Sequence, residues 1–293
     1  MANSIEKFQK YIVGLLDEVY KAASVTAVLD GNPELARQGA NADELIIPKM
    51  SMDGLGDYDR SSGYVTGDVT FTNETVKCNF DRGRMFTVDN VDNMDTAGMA
   101  FGRLSGAFIR EKVVPELDAF RFATYAGISG ISTVAAADLS SGSDVIAAIA
   151  AAADGMTDDE VPEENRYLFI TPTLLGLVRD LDTTKSKEIM NSFAGVYKVP
   201  KSRFYTAIDQ YDGTSSGEKT GGYVKDATNG KNINFMIIHK DAVIQYAKHV
   251  APKIVTPEMN QTADAYKFGY RNVGIADVYE NKVAGIYLHK ATT

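Results

Sequence analysis

The chain has 293 residues, 44% hydrophobic and 24% charged, with a formal net charge of −9. That is ordinary globular composition, enough for one large or two modest domains. No run reaches about 18 apolar residues, which argues against a membrane-spanning helix, and the acidic balance argues against coating nucleic acid by phosphate neutralisation, which needs clustered Lys and Arg.

The opening M-A-N-S-I-E-K-F-Q-K lacks a basic segment followed by an apolar block, so no secretory signal is expected. One cysteine, Cys78, rules out an internal disulfide framework and suits a reducing cytoplasm. Ile5, Phe8, Ile12, Leu15, Val19 and Tyr20 recur at helical spacing, and residues 4–27 read as an amphipathic helix. Asp30-Gly31-Asn32-Pro33 breaks it, and residues 34–45 are polar and irregular.

Residues 41–92 read as a long antiparallel projection. Met52–Gly63, rich in Gly, Asp and Ser, forms its flexible tip. Alternation over 63–72 puts Val65, Val69 and Phe71 on one side. Asn73-Glu74 could turn the chain, and Val76, Cys78 and Phe80 alternate on a return strand. Asp81-Arg82-Gly83 is another turn or bulge signal, followed by a strand at Met85–Val88. So few bulky apolar residues cannot build a private core, and such an arm stays ordered only by lying on something else.

Ala97, Phe101, Leu104 and Phe108 are spaced four, three and four apart, and Val113, Leu117 and Phe120 resume after a slip of five. Residues 94–126 therefore read as one long helix, or as two joined near Pro115, where a kink is expected. Gly127–Ser143 is a linker, with Ser143 capping a helix over 144–153. R-Y-L-F-I at 166–170 is a buried strand, and Thr171-Pro172 starts a helix carrying Leu174, Val178 and Leu181 on one face. A strand at 204–208 precedes a polar loop over 209–232. Ile233–His239 is a central strand, Asp241–Val250 a helix, and 253–256, 266–279 and 283–289 the last strands. The mixture is α+β.

Motifs for chemistry fail in context. Gly213-Thr214-Ser215-Ser216-Gly217 matches G-x-S-x-G, but loop flanks it on both sides where a strand and a helix are required. His239, His249 and His289 have no metal-ligand spacing. Cys78 has no His or CxxC partner nearby and reads as packing. Gly230-Lys231 is followed by Asn232, so it is no phosphate loop, and the acidic run Asp154–Glu164 lacks EF-hand order and reads as a solvated loop. No catalytic residue, cofactor site or metal site is assigned.

Four segments, in order, resemble the tailed-phage major capsid proteins of the Hong Kong 97 type. The first is the projection, whose Lys49-Met50-Ser51-Met52-Asp53-Gly54-Leu55-Gly56-Asp57-Tyr58 and Gly63-Tyr64-Val65-Thr66-Gly67-Asp68-Val69-Thr70 look like prophage coat proteins of Firmicutes. The second is Asp81-Arg82-Gly83-Arg84 running into a spine helix with Val113-Val114-Pro115-Glu116-Leu117-Asp118. The third is Tyr167-Leu168-Phe169-Ile170-Thr171-Pro172, and the fourth is the block from Ile237 to Tyr287.

The resemblance implies an α+β Hong Kong 97-type fold: an N-terminal arm at 1–40, an E-loop at 41–92, the spine helix of a peripheral (P) domain at 93–130, a central axial (A) domain at 131–250, P-domain strands at 251–275 and A-domain return strands at 276–293. It implies a non-enzymatic virion protein, assembled in the bacterial cytoplasm, forming hexamers and pentamers of an icosahedral shell. Its partners would be copies of itself, a scaffolding protein, a portal protein and double-stranded DNA enclosed without sequence-specific binding, with no membrane and no cofactor. About 40 residues precede the loop, less than an independently folding domain, so a separate rather than fused scaffold is expected. Ile5, Phe8, Ile12, Val65, Val69, Phe71, Val76, Phe80 and Pro115 are the assembly candidates. Lys49 and Lys77 read as solvated, and no covalent crosslink is expected. An encapsulin-like compartment holding protein cargo is the alternative, and a serine hydrolase using Ser215 a remote one.

Overall fold

The computed structural model describes residues 24–31, 37–38, 44–90, 99–134, 137–181 and 183–292. The expected helix at 4–27 lies outside them up to residue 23, and residues 24–26 lead into a 3-10 turn at Ala27–Leu29.

The strands are β1 (Arg37–Gln38), β2 (Glu44–Met52), β3 (Val69–Lys77), β4 (Phe80–Asp89), β5 (Ser132–Val134), β6 (Arg166–Ile170), β7 (Gly195–Lys198), β8 (Ile208–Gln210), β9 (Tyr223–Lys225), β10 (Ile233–His239), β11 (Val243–Val255), β12 (Ala265–Val278) and β13 (Ile286–Lys290). The helices are α1 (Met99–Phe108), α2 (Val114–Gly127), α3 (Gly142–Asp158), α4 (Pro172–Leu181) and α5 (Thr184–Asn191), with a π turn at Ile109–Val113 between α1 and α2. They build a five-stranded mixed sheet β5-β13-β10-β6-β7, a three-stranded antiparallel sheet β11-β12-β4, a ribbon β1-β2-β3 and a small hairpin β8-β9.

β6 and β10 lie inside the five-stranded sheet and are apolar on both faces, which gives them near-continuous hydrophobic sequences. Leu168, Ile170, Phe235 and Ile237 face α3 and α4, where Ile149, Met156 and Val178 complete one core. Phe169, Met236 and Ile238 face the other way and meet Phe122 and Tyr125 of α2. The N-terminal half of α2 and the π turn, through Ile109, Val113, Val114 and Leu117, cover the three-stranded sheet at Phe80, Phe268 and Tyr270. One helical spine thus closes two cores.

The slip of five residues between Phe108 and Val113 is the π turn itself. Val114 donates its N–H to the Ile109 carbonyl, five residues back, so one wider turn absorbs the extra residue and Phe108 and Val113 both stay on the sheet. The helical path continues through Pro115, so the chain does not leave the helix there. Pro115 sits in the first turn of α2, where the bond it cannot donate falls at the change of register.

Several expectations are corrected. Of the expected helix at Asp241–Val250, the first two residues end a 3-10 turn and the rest is strand: β11 pairs with β12 from Val243↔Val278 to Val255↔Lys267. Long-range pairing overrides local helix propensity there, and Pro252 is tolerated because β11 is a sheet edge. Asn73-Glu74 does not turn but lies within β3, opposite Pro48 and Ile47. Asp81-Arg82-Gly83 lies within β4, where a Cβ on Gly83 would come 2.9 Å from the Tyr270 carbonyl oxygen; glycine permits that approach. Residues 204–208 are not a strand; Phe204 is buried after a 3-10 turn, and β8 begins at Ile208. Ser141, not Ser143, caps α3 by accepting from the Asp144 N–H at 3.2 Å, and the helix runs through the first residues of the acidic stretch to Asp158. The linker contains β5, residues 283–285 form a 3-10 turn before β13, and the 34–45 stretch holds β1 and the start of β2. The boundaries placed after 250 and 275 fall inside β11 and β12.

A buried polar node on α2 joins distant segments. Asp118, fully buried, accepts from Ser24 Oγ and Thr26 Oγ1, each at 2.7 Å, and from Arg203 Nη1 at 3.2 Å. Arg121, one helical turn along, donates to Thr26 Oγ1 at 2.8 Å. Gln245 of β11 donates to the Thr26 carbonyl at 2.7 Å and accepts from the Tyr125 hydroxyl at 2.8 Å. Removing the carboxylate strands several buried donors and one guanidinium, so Asp118→Ala should lose about 3–5 kcal/mol of stability. Urea unfolding checks this; a loss under about 1 kcal/mol would mean the node is peripheral.

His289 ends the return strand, where its Nδ1 lies 3.1 Å from the Asn234 side-chain nitrogen. That amide nitrogen can only donate, so the imidazole accepts there and is neutral. Burial holds its pKa below the ordinary histidine value, and His239 is shifted the same way for the same cause. The unfolded chain therefore takes up protons first. The stabilisation is complete above about pH 6.5 and is lost as pH falls toward and through the folded-state values. Thermal melting between pH 7.5 and 5 should show the loss, and His289→Gln should reduce its pH dependence; an unchanged dependence would remove His289 as a cause.

Candidate assembly surface

β2 and β3 pair in register from Glu44↔Lys77 to Met52↔Val69. Period-two alternation places Met50, Met52, Val69 and Phe71 on one face of the ribbon, and Lys49, Ser51, Thr70 and Thr72 on the other. Among the described residues nothing covers the apolar face: Phe71 is 73% exposed and Met52 63%. Beyond it, the tip exposes Leu55, Tyr58, Tyr64 and Val65. Among the described residues, eight of the eleven large apolar or aromatic side chains left exposed lie in these two groups; the others are Met85, Val224 and Met259. Burying a side chain of this kind is worth about 1.5–3 kcal/mol. The surface therefore holds on the order of 10 kcal/mol of unused hydrophobic burial, before the cost of association.

The tip has a built turn. Asp53 N–H donates to the Asp68 carbonyl at 3.2 Å, and Asp68 N–H returns to the Asp53 carboxylate at 2.9 Å. Asp59 and Gly63 exchange backbone bonds at 3.3 and 2.7 Å, with Gly63 at φ 83°. The Ser61 N–H and hydroxyl, each 2.8 Å from the Asp59 carboxylate, hold its pKa below the usual range. Tyr58 and Tyr64 meet edge to face at 4.9 Å.

The root of the ribbon is tied down. Val76 packs with Ile244 and Ile275, against which Ile47 and Cys78 also lie. Lys49, expected to be solvated, pairs with Glu280 at 2.6 Å. Burial raises the pKa of neighbouring Glu74, reinforced by the Glu280 charge.

The D-R-G-R stretch then fastens β4 on three sides. Asp81 pairs with Arg271 at 2.5 Å, a hydrogen bond that holds its carboxyl pKa down. Arg82 donates to Glu116 of the spine at 2.7 Å and to the Tyr211 carbonyl at 2.7 Å. Arg84 reaches the Lys219 carbonyl at 2.9 Å. The loop these arginines hold contains Ser215. Its hydroxyl donates to Asp212 at 2.5 Å, and that hydrogen bond drives the Asp212 pKa far below the carboxylate range, which makes Asp212 a poor general base.

The assembly candidates divide. Val65, Val69 and Phe71 lie on the exposed ribbon and tip, while Val76 and Phe80 are buried in the subunit's own packing. Pro115 is half-buried on the spine, and Ile5, Phe8 and Ile12 lie outside the described residues. The sequence reading missed Met50, Met52, Leu55, Tyr58 and Tyr64. Met50 and Met52 alternate with Lys49 and Ser51 as in a strand, but which segment pairs with β3 follows only from the register.

No family model matches the chain, and no curated protein matches it in sequence. Solved structures do. A chain of Mycobacterium phage Che8 matches with a TM-score of 0.62 and 15% identity, covering 91% of this chain and 90% of that one. The capsid structure of the cyanophage P-SCSP1u matches with a TM-score of 0.53 and 12% identity, covering 88% and 86%. The virus-like particle from Pyrococcus furiosus matches with a TM-score of 0.58 and 10% identity, covering 96% and 99%. The chain has the Hong Kong 97-type fold expected from its sequence: α+β, with an extended hairpin, a spine helix and a central sheet.

Changing Met50, Met52, Val69 and Phe71 together to Ser should leave circular dichroism and melting temperature close to wild type and abolish self-association in gel filtration. The same outcome is expected when a short Gly-Ser linker replaces 50–72, which spares Val76 and Phe80. Global unfolding of either variant would place the ribbon in the fold's own core.

Proposed function

We propose that this protein is the major capsid protein of a tailed phage, assembling into hexamers and pentamers of an icosahedral shell. The observation that carries this reading is an ordered amphipathic ribbon whose apolar face the described residues leave open, while an ion pair and packing tie its root down. An exposed patch of this kind marks a protein–protein surface, and a second copy is the partner present in quantity during shell growth. The capsid fold agrees with it. Such obligate interfaces bury more than about 2,000 Å².

A scaffolding protein, a portal protein and double-stranded DNA enclosed without sequence-specific contacts complete the proposal, with assembly in the bacterial cytoplasm and residence in the virion. The acidic chain, with its net charge of −9, suits enclosure better than tight coating of DNA. The likeness to a virus-like particle favours one second reading, a shell holding protein cargo.

Electron microscopy and light scattering of the purified chain, alone and co-expressed with a scaffolding protein, test the proposal. Closed shells or capsomer rings are expected. A monomer that persists at high concentration in both preparations would end it. Co-purifying nucleic acid or protein inside shells recovered from infected or induced cells separates the two contents.

A further inference from the structure

The two outer edges of the five-stranded sheet carry opposite charge. At one edge stands β5, where Ser132 Oγ donates to Asp159 at 3.3 Å and brings the end of α3 alongside. The last turns of α3 and the two residues after them expose Asp154, Asp158, Asp159 and Glu160, with no basic side chain among them. At the other edge stands β7, which ends in Lys198 and runs on to Lys201; α5, which leads into it, exposes Lys185 and Lys187 against a single acid, Glu188. Both edge strands are short, of three and four residues, too short for strand-to-strand pairing to supply an interface by itself.

We propose that these two edges are the complementary halves of one head-to-tail contact, the acidic β5 side of one copy against the lysine-bearing β7 side of the next; this rests on the shell reading above. The symmetry argument is direct. A two-fold contact through either edge would set like charges against like and is disfavoured. A contact between unlike edges is attractive, leaves one free edge of each sign at the ends of any oligomer, and closes when the rotation per subunit completes a ring. The same polarity gives a self-associating protein a way to favour rings over dimers.

The test is a charge exchange on surface residues. Lys198→Glu with Lys201→Glu makes both edges acidic. Asp154→Lys, Asp158→Lys and Glu160→Lys together make the acidic edge basic and spare Asp159, which holds Ser132. Each variant should keep the wild-type circular dichroism and raise the critical concentration for assembly by about tenfold or more, because attractions become repulsions. Mixed one to one, the two should assemble again, since every contact in an alternating ring is between unlike edges; alternation closes only even-membered rings, visible in native mass spectrometry. Assembly of either folded variant alone at the wild-type concentration, or failure of the mixture to recover, overturns the edge assignment. A wild-type chain that never assembles removes the shell reading, and the edge pairing with it.

Discussion

The fold turns on one buried carboxylate. Asp118 sits on the spine helix out of reach of solvent, and an uncompensated anion there would be intolerable. Its compensation is drawn from residues 24–26 at one end of the chain and from Arg203 more than eighty residues beyond it. Arg121 and Gln245 extend the same set of bonds to the 3-10 turn and to β11. The requirement to satisfy one charge therefore fixes where the early segment, the spine, the five-stranded sheet and the long edge strand meet. Hydrophobic contact alone would allow these parts to slide; directional bonds to a buried group do not.

Around that node the subunit satisfies its sheets unequally. The central strands are covered on both faces, and the three-stranded sheet is covered on one by the spine. The ribbon is paired along its length, yet the described residues cover it only at its root. Its backbone is satisfied while its side chains are not, a combination that keeps it shaped in solution and available to a partner. Pre-forming the surface in this way lowers the ordering cost of association.

Much of this was legible in the residues. R-Y-L-F-I and I-N-F-M-I-I-H read as buried strands because both faces are apolar, and Thr171-Pro172 gave the start of α4 by local chemistry. The long hairpin was legible as a projection poor in core residues, but not its register. Pairing of β2 with β3 spans a sixteen-residue tip, and nothing local distinguishes it from a turn at Asn73-Glu74. The misreading of residues 241–250 has the same origin: D-A-V-I-Q-Y-A-K-H-V is compatible with a helix until β12 offers a partner. The open ribbon face was half legible, through Val65, Val69 and Phe71; the methionines and tyrosines needed the register before they could be placed.

The π turn in the spine has a consequence for how chain length can vary. Five residues separate Phe108 from Val113, and the wider turn keeps both on the sheet. A chain with one residue fewer in this interval would have a spacing of four, which an ordinary α turn already satisfies. Deletion of a single residue here is therefore conservative in three dimensions, although anywhere else along the spine it would rotate every later side chain off its face. When related chains are aligned, a one-residue gap between the positions of Phe108 and Val113 marks a change of helical winding, with the residues on either side remaining equivalent.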